Sequence, residues 1–261
     1  MSGFFCGVDI GASATKVVLV DAAGEVLARV VRPSGVDYAA VARACLDEAA
    51  AEAGCADGPR LTVSTGYGRG NVDFADETRT EIHCHGAGCF HGVGRAATII
   101  DIGGQDNKVI RLDDRGKRLE FRMNRKCAAG TGAFIEEIAL RLGLTVGELD
   151  ALAAAAKKTV RLGSFCTVFS KTEILSHLRN GEPVEGIVRG AFESVVERIV
   201  EMDPLEGLVV ATGGVVAHNP TIVEIIAERL GREVVVPEAP QFTGALGAAL
   251  TARTMADKGK G

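Results

Sequence analysis

The stretch that decides the fold is Val8–Glu25, VDIGASATKVVLVDAAGE, because the chain repeats its pattern at Ile100–Lys117, IDIGGQDNKVIRLDDRGK. The two copies align without a gap. The matched positions are Asp9, Ile10, Gly11, Lys16, Val17, Asp21 and Gly24 with Asp101, Ile102, Gly103, Lys108, Val109, Asp113 and Gly116. Internal repeats reveal architecture before single motifs do. The repeat therefore predicts two halves of similar fold.

Each copy reads as an apolar strand, a small polar turn and a second strand, which predicts a β-hairpin. A third strand follows in each copy, at Val26–Val31 and Arg118–Arg122. Helical sequence and further strands come next: helices at Tyr38–Ala53, Ala133–Leu142 and Val146–Lys157, and strands at Leu61–Ser64, Leu208–Ala211 and Glu233–Val236. The prediction is an α/β fold of two duplicated βββαβα halves, residues 1–96 and 97–261, with the two turns facing across a cleft.

The composition excludes several classes of protein. The 261 residues carry a net charge of −5, so there is no basic surface of the kind that nucleic acid binds. The chain shows no signal-peptide pattern, and its apolar runs are too short for a membrane span, which predicts a cytoplasmic protein. The seven cysteines include no C-x-x-C pair, so a disulfide framework is not expected.

The two hairpin turns have the chemistry of a metal–nucleotide site. Small residues let backbone N–H groups approach an anion, and the Asp of each turn can hold hydrated Mg²⁺. The candidate residues of the first turn are Asp9, Gly11, Ala12, Ser13, Ala14, Thr15 and Lys16, and those of the second are Asp101, Gly103, Gly104, Gln105 and Asp106. The alternative is that both Asp side chains only cap tight hairpins. Lys16 and Lys108 either neutralise phosphate or are solvated at strand ends.

A third glycine cluster, Ala211–Val215, follows the predicted strand Leu208–Val210. Glycines at a strand end let the backbone pass close to a base or a ribose. The chain has no G-x-x-x-x-G-K-[ST] motif and no G-x-G-x-x-G after its first strand, so a nucleotide site here needs another design.

These elements, in this order, resemble the acetate kinase, sugar kinase, Hsp70 and actin superfamily. Asp9–Lys16 is similar to its first phosphate motif, Asp101–Asp106 to its second, and Thr212–Val215 to its adenosine motif. The resemblance implies two actin/Hsp70-like, ribonuclease H-like subdomains with ATP or ADP in the cleft. It implies nucleotide contacts at Gly213, Gly214, Ala217 and Gln241, Mg²⁺ near Asp9 and Asp101, and a hydrolytic water near Gln105 and Asp106.

A narrower resemblance rests on Lys126–Gly132, KCAAGTG, which is similar to a motif of the activators of 2-hydroxyacyl-CoA dehydratases. The broader family includes the ATPase subunits of benzoyl-CoA reductase. Supporting stretches are Ser64–Arg69, Ile102–Asp106, Cys166–Phe169 and Gln241–Gly247. The resemblance implies an ATPase coupled to electron transfer, with ferredoxin or flavodoxin as donor and an iron–sulfur acyl-CoA dehydratase or reductase as acceptor.

Cys127 and Cys166 each precede a run of helical period, so each is expected near a helix N-terminus, where the helix dipole stabilises a thiolate. An iron–sulfur cluster requires four thiolates, and a homodimer would supply two from each chain. In the activator family one [4Fe–4S] cluster bridges two subunits through the residues that match this pair. The alternative is two buried structural cysteines.

A second group of soft ligands lies at His83–His91, HCHGAGCFH. Its composition suits zinc, but its spacing is not a standard ligand spacing. Cys84 and His85 resemble a pair common in the activators that does not ligate their cluster. Zinc at this stretch is therefore the weaker of the two metal hypotheses.

The chain departs from the activator pattern beside both cysteines. Members often read N-D-K-C, where this chain has Asn124–Cys127, NRKC. Many read A-V-F-A-E-S-E after the second cysteine, where this chain has Thr167–Glu173, TVFSKTE. The more positive surroundings favour a higher cluster potential or a more acidic partner.

Three alternatives to a dehydratase activator remain. A subunit of the benzoyl-CoA reductase type would use the same chemistry in a hetero-oligomer. A sugar- or acetate-type kinase would need a carboxylate beside a substrate pocket, and it leaves Cys127 and Cys166 without a role. A regulatory ATP-binding module would show no redox chemistry.

Overall fold

The computed structural model describes residues 3–55, 57–124, 128, 130–163 and 167–258. Its strands are β1 (Phe5–Ile10), β2 (Ala14–Val20), β3 (Val26–Pro33), β4 (Leu61–Thr65), β5 (Glu77–Thr78), β6 (Ala97–Ile102), β7 (Asn107–Leu112), β8 (Arg118–Asn124) and β9 (Val209–Thr212). Its helices are α1 (Tyr38–Glu52), α2 (Glu81–Val93), α3 (Gly132–Leu142), α4 (Val146–Ala155), α5 (Thr167–Arg179), α6 (Val184–Met202), α7 (Gly214–His218), α8 (Pro220–Leu230) and α9 (Thr243–Lys258).

The strands form two mixed sheets of matching order. The first runs β3-β2-β1-β4-β5 and the second β8-β7-β6-β9. In the first sheet β1 pairs antiparallel with β2 and parallel with β4, and in the second sheet β6 pairs parallel with β9. The predicted hairpin and third strand are thus confirmed in both copies. The predicted strand Glu233–Val236 contributes one parallel bridge, between Val210 and Val235.

The first sheet is buried on both faces because its strands alternate two apolar sets. Cys6, Val8 and Ile10 of β1 belong to one core cluster with Ala42, Cys45 and Leu46 of α1, and Phe5 belongs to another with Cys84 of α2 and Ala245 of α9. Successive side chains of a strand point to opposite faces, which explains the division. The sheet therefore holds β1 rigidly, and with it the turn that follows.

The chain separates into two compact units. The first contains Met1–Ala97, Ile110–Glu120 and Phe242–Gly261, and the second contains Thr98–Val109 and Phe121–Gln241. The predicted division into residues 1–96 and 97–261 stays a prediction, and the first segment of the first unit ends at Ala97. The C-terminal helix α9, however, belongs to the first unit, whereas the sequence pattern predicts it in the half formed by residues 97–261.

Helix α9 belongs to the first unit because glycines let it approach its neighbours closely. A Cβ on Gly7 of β1 would overlap the carbonyl oxygen of Ala245. A Cβ on Gly247 would overlap the Cys84 carbonyl of α2, and one on Gly88 the Thr243 carbonyl of α9. Backbones that pack at this distance leave no room for side chains.

The second unit has its own core around β6, β9 and the helices that follow β8. Its largest fully buried side chains include Phe134 and Ile138 of α3, Leu149 of α4 and Phe192 of α6. Helix α4 begins with a capping box formed by Thr145 and Glu148. The hydrogen bonds that Thr145 donates to the Glu148 carboxylate lower the pKa of Glu148. This core supports the turn between β6 and β7.

Candidate functional site

The first turn, between β1 and β2, is held in place by Ser34. The Ser34 hydroxyl donates to the Gly11 carbonyl at 2.7 Å and lies 2.9 Å from the Thr15 hydroxyl, and the Ser34 N–H donates to the Ser13 carbonyl at 3.1 Å. The Gly11 N–H closes the turn onto the Ala14 carbonyl at 3.0 Å. Gly11, Ala12 and Ala14 are partly buried and Ser13 is exposed, so the tip of the turn is open to a ligand.

Asp9 and Lys16 face each other at the base of this turn. They are paired across β1 and β2, and the Lys16 ammonium lies 3.2 Å from Asp9 Oδ2. Asp9 is only 5% exposed. A buried carboxylate requires a compensating cation, so the Lys16 ammonium fixes the Asp9 carboxylate in a defined position.

Three further residues lie near the Asp9 carboxylate, and sequence reasoning did not assign them to the nucleotide site. Gly66 follows β4 with φ +89°, and a Cβ there would lie 2.5 Å from Asp9 Oδ1. A Cβ on Gly244, in the first turn of α9, would lie 3.0 Å from both Asp9 Oδ2 and His85 Nε2. His85 is buried, and its Nδ1 is 3.2 Å from the Thr243 hydroxyl.

The second turn, between β6 and β7, is fastened to the start of α3. The Gly103 N–H donates to the Asp106 carbonyl at 2.9 Å. The Gly103 and Gly104 carbonyls accept from the N–H groups of Gly132 and Ala133 at 2.9 and 2.7 Å. Gln105 is exposed at the tip. A displacement of this turn would therefore be transmitted directly to the N-terminus of α3.

The charges at the second turn differ from those at the first. Lys108 Nζ lies 3.0 Å from Asp101 Oδ2 and 2.6 Å from Asp106 Oδ1. The side chains of Lys108 and Asp101 are 4% and 3% exposed. Among the described residues, the Lys108 ammonium thus contacts two carboxylates, whereas the Lys16 ammonium contacts one.

The glycine cluster after β9 occupies the same position in the second sheet as Gly66 in the first. Asp101 pairs with Thr212 across β6 and β9, just as Asp9 pairs with Thr65 across β1 and β4. Gly213 has φ +101°, and a Cβ there would lie 2.7 Å from Asp101 Oδ1. Only glycine combines this conformation with such close approach. The internal duplication therefore extends beyond the hairpins.

The remaining predicted nucleotide contacts lie beside Gly213. Gly214 begins α7, and the Ala217 N–H donates to the Gly213 carbonyl at 3.1 Å. A Cβ on Gly214 would lie 3.6 Å from Gln241 Nε2. Ala217 and Gln241 are partly buried. The structure thus brings these predicted contacts together at one edge of the second unit.

The donor set of the two turns fits hydrated Mg²⁺. This ion typically keeps several waters and binds one or two carboxylates together with substrate phosphates. Asp9 and Asp101 each provide one carboxylate of that kind. Among the residues that the structure describes, no three His, Cys, Asp or Glu side chains come together as a metal site.

The predicted cluster ligands Cys127 and Cys166 lie outside the described residues. The neighbouring segments are described. Gly130 has φ +82°, and its carbonyl accepts from the Asn107 amide at 2.6 Å. Helix α3 begins at Gly132, and α5 begins at Thr167.

The Cys- and His-rich stretch His83–His91 lies on α2. His83 and His91 are exposed, whereas Cys84, His85 and Cys89 are buried. Burial raises the pKa of the Cys84 thiol to about 12, which disfavours the thiolate that a metal would bind. No zinc site is formed by these residues in the part of the chain that the structure describes.

The duplicated sheets, each with an Asp–Lys pair beneath a hairpin turn, define an α/β fold of the actin and Hsp70 type. Residues 6–252 match the BadF/BadG/BcrA/BcrD ATPase family, and the chain belongs to that family. None of the helices in the described part of the chain has the length and apolar character needed to cross a membrane.

Three comparisons give the family more detail. The chain is 43% identical to an activator of lactoyl-CoA dehydratase from Anaerotignum propionicum, over 97% of this chain and 98% of that protein. It is similar to the structure of the activator of the 2-hydroxyisocaproyl-CoA dehydratase from Clostridium difficile with bound ADPNP, with a TM-score of 0.91, 37% identity, and 100% and 97% of the two chains covered. It is 30% identical to a benzoyl-CoA reductase subunit from Thauera aromatica, over 94% of this chain and 91% of that protein.

Proposed function

We propose that this chain is an ATP-dependent electron-transfer activator of an acyl-CoA dehydratase. The observation that carries the proposal is the duplicated Asp–Lys–Gly arrangement at the two turns, found in a chain 43% identical to an activator of lactoyl-CoA dehydratase. The arrangement supports nucleotide chemistry, and the relatives' names support its coupling to a dehydratase.

The two turns would bind phosphate groups. Backbone N–H groups at the tips of the turns, from Ala12 to Ala14 and at Gly104, would donate to phosphate oxygens, and Lys16 would offset the phosphate charge. Gly11, Thr15 and Gly103 would flank the phosphates and shape the turns. Asp9 and Asp101 would hold Mg²⁺, which when bound withdraws charge from the transferring phosphoryl group. The backbone at Gly213 and Gly214, with Ala217 and Gln241, would contact the adenosine.

Hydrolysis would be assisted from the second turn. Gln105 is exposed there and can orient a water molecule through its amide. Asp106 lies in the same turn and is held by Lys108 at 2.6 Å. Gln105 is therefore the better candidate for contact with the water, with Asp106 beside it.

The hydrogen bonds between the second turn and α3 supply a physical route from nucleotide to redox centre. Helix α3 starts five residues after Cys127 and its first two N–H groups bind the Gly103 and Gly104 carbonyls. A shift of the turn after hydrolysis would therefore reorient the segment that carries Cys127. Cys127 and Cys166 with their copies in a homodimer would hold one [4Fe–4S] cluster, which stores a single electron at low potential.

The partners follow from this chemistry. Reduced ferredoxin or flavodoxin would supply the electron in the cytoplasm of an anaerobic cell, and an iron–sulfur acyl-CoA dehydratase would accept it. A benzoyl-CoA reductase partner is the second candidate, favoured by the 30% identity to the Thauera aromatica reductase subunit. The higher identity to the lactoyl-CoA dehydratase activator favours the dehydratase.

The test is activation of a dehydratase. Under exclusion of oxygen, the dithionite-reduced protein is mixed with lactoyl-CoA dehydratase and ATP, and dehydration of lactoyl-CoA is followed. We expect activity that requires ATP, and a loss of about 10²-fold or more in ATP turnover for Gln105→Ala. ATP-independent activation, or none from a protein that hydrolyses ATP and holds its cluster, would contradict the proposal.

A further inference from the structure

The first unit contains a basic groove that none of the proposed chemistry uses. The groove is open to solvent, has a volume of about 570 Å³ and is lined by Thr78, Arg79, Thr80, His83, Lys117 and Arg118. Three of these six residues carry a permanent positive charge, and none is acidic, in a chain whose net charge is −5. A concentration of one charge in a concave place attracts ligands of the opposite charge.

We propose that this basic groove binds a phosphate-bearing small molecule. A volume of this size accommodates a ligand as large as a nucleotide or part of a coenzyme. Lys117 and Arg118 come from the end of the β7–β8 turn, while Thr78, Arg79 and Thr80 precede α2. Two separate segments thus contribute cations to one volume, which favours a multiply charged anion.

Helix α2 adds to the attraction. Thr80 caps the helix, and its hydroxyl accepts from the His83 N–H at 3.3 Å. The helix is 13 residues long, and the partial positive charge at its N-terminus lies at the groove. The backbone and the side chains therefore favour the same kind of ligand.

The positive charges of the groove act on the His83 side chain. The pKa of His83 is lowered, first by the partial burial of its ring and then by the charges of Arg79 and Arg118. Its Nε2 lies 3.2 Å from the Thr251 hydroxyl, which holds the ring in place. The Glu77 carboxylate lies 3.0 Å from the Arg79 guanidinium and moderates the positive charge there. A bound phosphate would counter the two guanidinium groups and raise the pKa of His83.

His83 therefore serves as a reporter in the test. The chain has five histidines, and His83→Gln identifies the His83 signal in a proton NMR spectrum. The full chain is titrated with inorganic phosphate, pyrophosphate, ADP and coenzyme A in separate experiments. We expect at least one of them to shift the His83 signal saturably and to raise its pKa. The anion that binds tightest identifies the source of the phosphate.

Matched variants connect the signal to the groove. Lys117→Gln/Arg118→Gln should weaken binding about tenfold or more, because two charge-assisted contacts are lost. Arg115→Gln, an exposed arginine of the same turn outside the lining, should leave binding unchanged. Equal binding by the double variant and the unaltered chain, with both folded by circular dichroism, would overturn the proposal.

Two further results would overturn it. The first is a His83 signal that none of the four anions moves at millimolar concentration. The second is a shift produced by polyglutamate but by none of the small anions, which would make the groove a docking surface for an acidic protein. The proposal is independent of the proposed ATPase function, because ADP bound at the two turns would not depend on Lys117 and Arg118.

Discussion

Lys108 holds the buried Asp101 carboxylate at 3.0 Å and at the same time lies 2.6 Å from Asp106. In the first copy of the repeat, Lys16 contacts one carboxylate among the described residues, that of Asp9, at 3.2 Å. The second turn thus has two carboxylates and one ammonium, whereas the first has one of each. The two copies of the repeat therefore differ in the charged groups around their Asp–Lys pairs.

Replacing Lys108 by Met should destabilise the protein strongly. The change removes the Lys108 ammonium from two carboxylates, one of them buried, and breaking a buried pair in this way costs about 3–5 kcal/mol. Lys16→Met should lower the free energy of unfolding by about 2 kcal/mol, because the Asp9 carboxylate loses one charged hydrogen bond. Urea unfolding monitored by circular dichroism measures both.

Lys158→Met is the control for the lysine series. Lys158 pairs with Glu182 at 3.0 Å, but its side chain is 65% exposed, so the loss should be below about 1 kcal/mol. If the Lys108 variant is as stable as the Lys158 variant, the Lys108–Asp101 ion pair does not contribute to the stability of the fold.

The glycines that face the two carboxylates should not tolerate alanine. In Gly66→Ala and Gly213→Ala the new methyl group would collide with Asp9 or Asp101, and the backbone would be held at positive φ. We expect each variant to lose about 1–3 kcal/mol of stability and at least tenfold in affinity for ADP. Thermal unfolding and calorimetric titration with ADP measure the two effects.

Gly231→Ala separates the collision from the backbone conformation. Gly231 also has positive φ, 63°, but a Cβ there meets nothing within 4 Å. The Gly231→Ala variant should therefore lose about 1 kcal/mol of unfolding free energy and keep its affinity for ADP. If Gly213→Ala binds ADP as well as Gly231→Ala does, Gly213 has no part in nucleotide binding.

The buried thiols of Cys6 and Cys84 should make the fold sensitive to alkali. Burial raises the pKa of each from 9.0 to about 12. Both thiols stay protonated in the folded chain but ionise above about pH 9 once unfolded, so their contribution to stability is complete below pH 9 and is lost progressively up to about pH 12. The expected slope is about 1.4 kcal/mol per pH unit for each thiol.

Urea unfolding at about pH 8 and about pH 10 under reducing conditions checks this expectation. Cys6→Ala/Cys84→Ala should be less stable at the lower pH because of the smaller side chains, but should lose much less stability between the two pH values. An unchanged pH dependence in the double variant would assign the alkaline loss to other groups.

The fold could be predicted in large part from the repeat. Both hairpins and their third strands were predicted, because seven matched positions repeat the spacing of strand and turn. The membership of α9 in the first unit could not be predicted, because it depends on close packing of Gly7, Gly88 and Gly247 against distant backbone. Such contacts leave no periodic pattern along the chain.

The candidate site was predicted unevenly. The residues of both turns were proposed as site residues because each turn includes or follows an Asp-Ile-Gly step, and their roles stay predictions. Gly66 was missed as a site residue, although a Thr-Gly step follows the parallel strand in both halves, at Thr65 and Thr212. His85 was read only as part of a Cys- and His-rich stretch. Its nearness to Asp9 arises from the packing of α2 on α9, which the sequence does not display.

The most direct test of the electron-transfer account is the iron and acid-labile sulfide content of the protein purified without oxygen, with its spectrum before and after dithionite. The account predicts about two irons per chain, equivalent to one four-iron cluster per dimer, and their loss in Cys127→Ser and in Cys166→Ser. A protein that stays free of iron after anaerobic reconstitution, yet hydrolyses ATP, would contradict it.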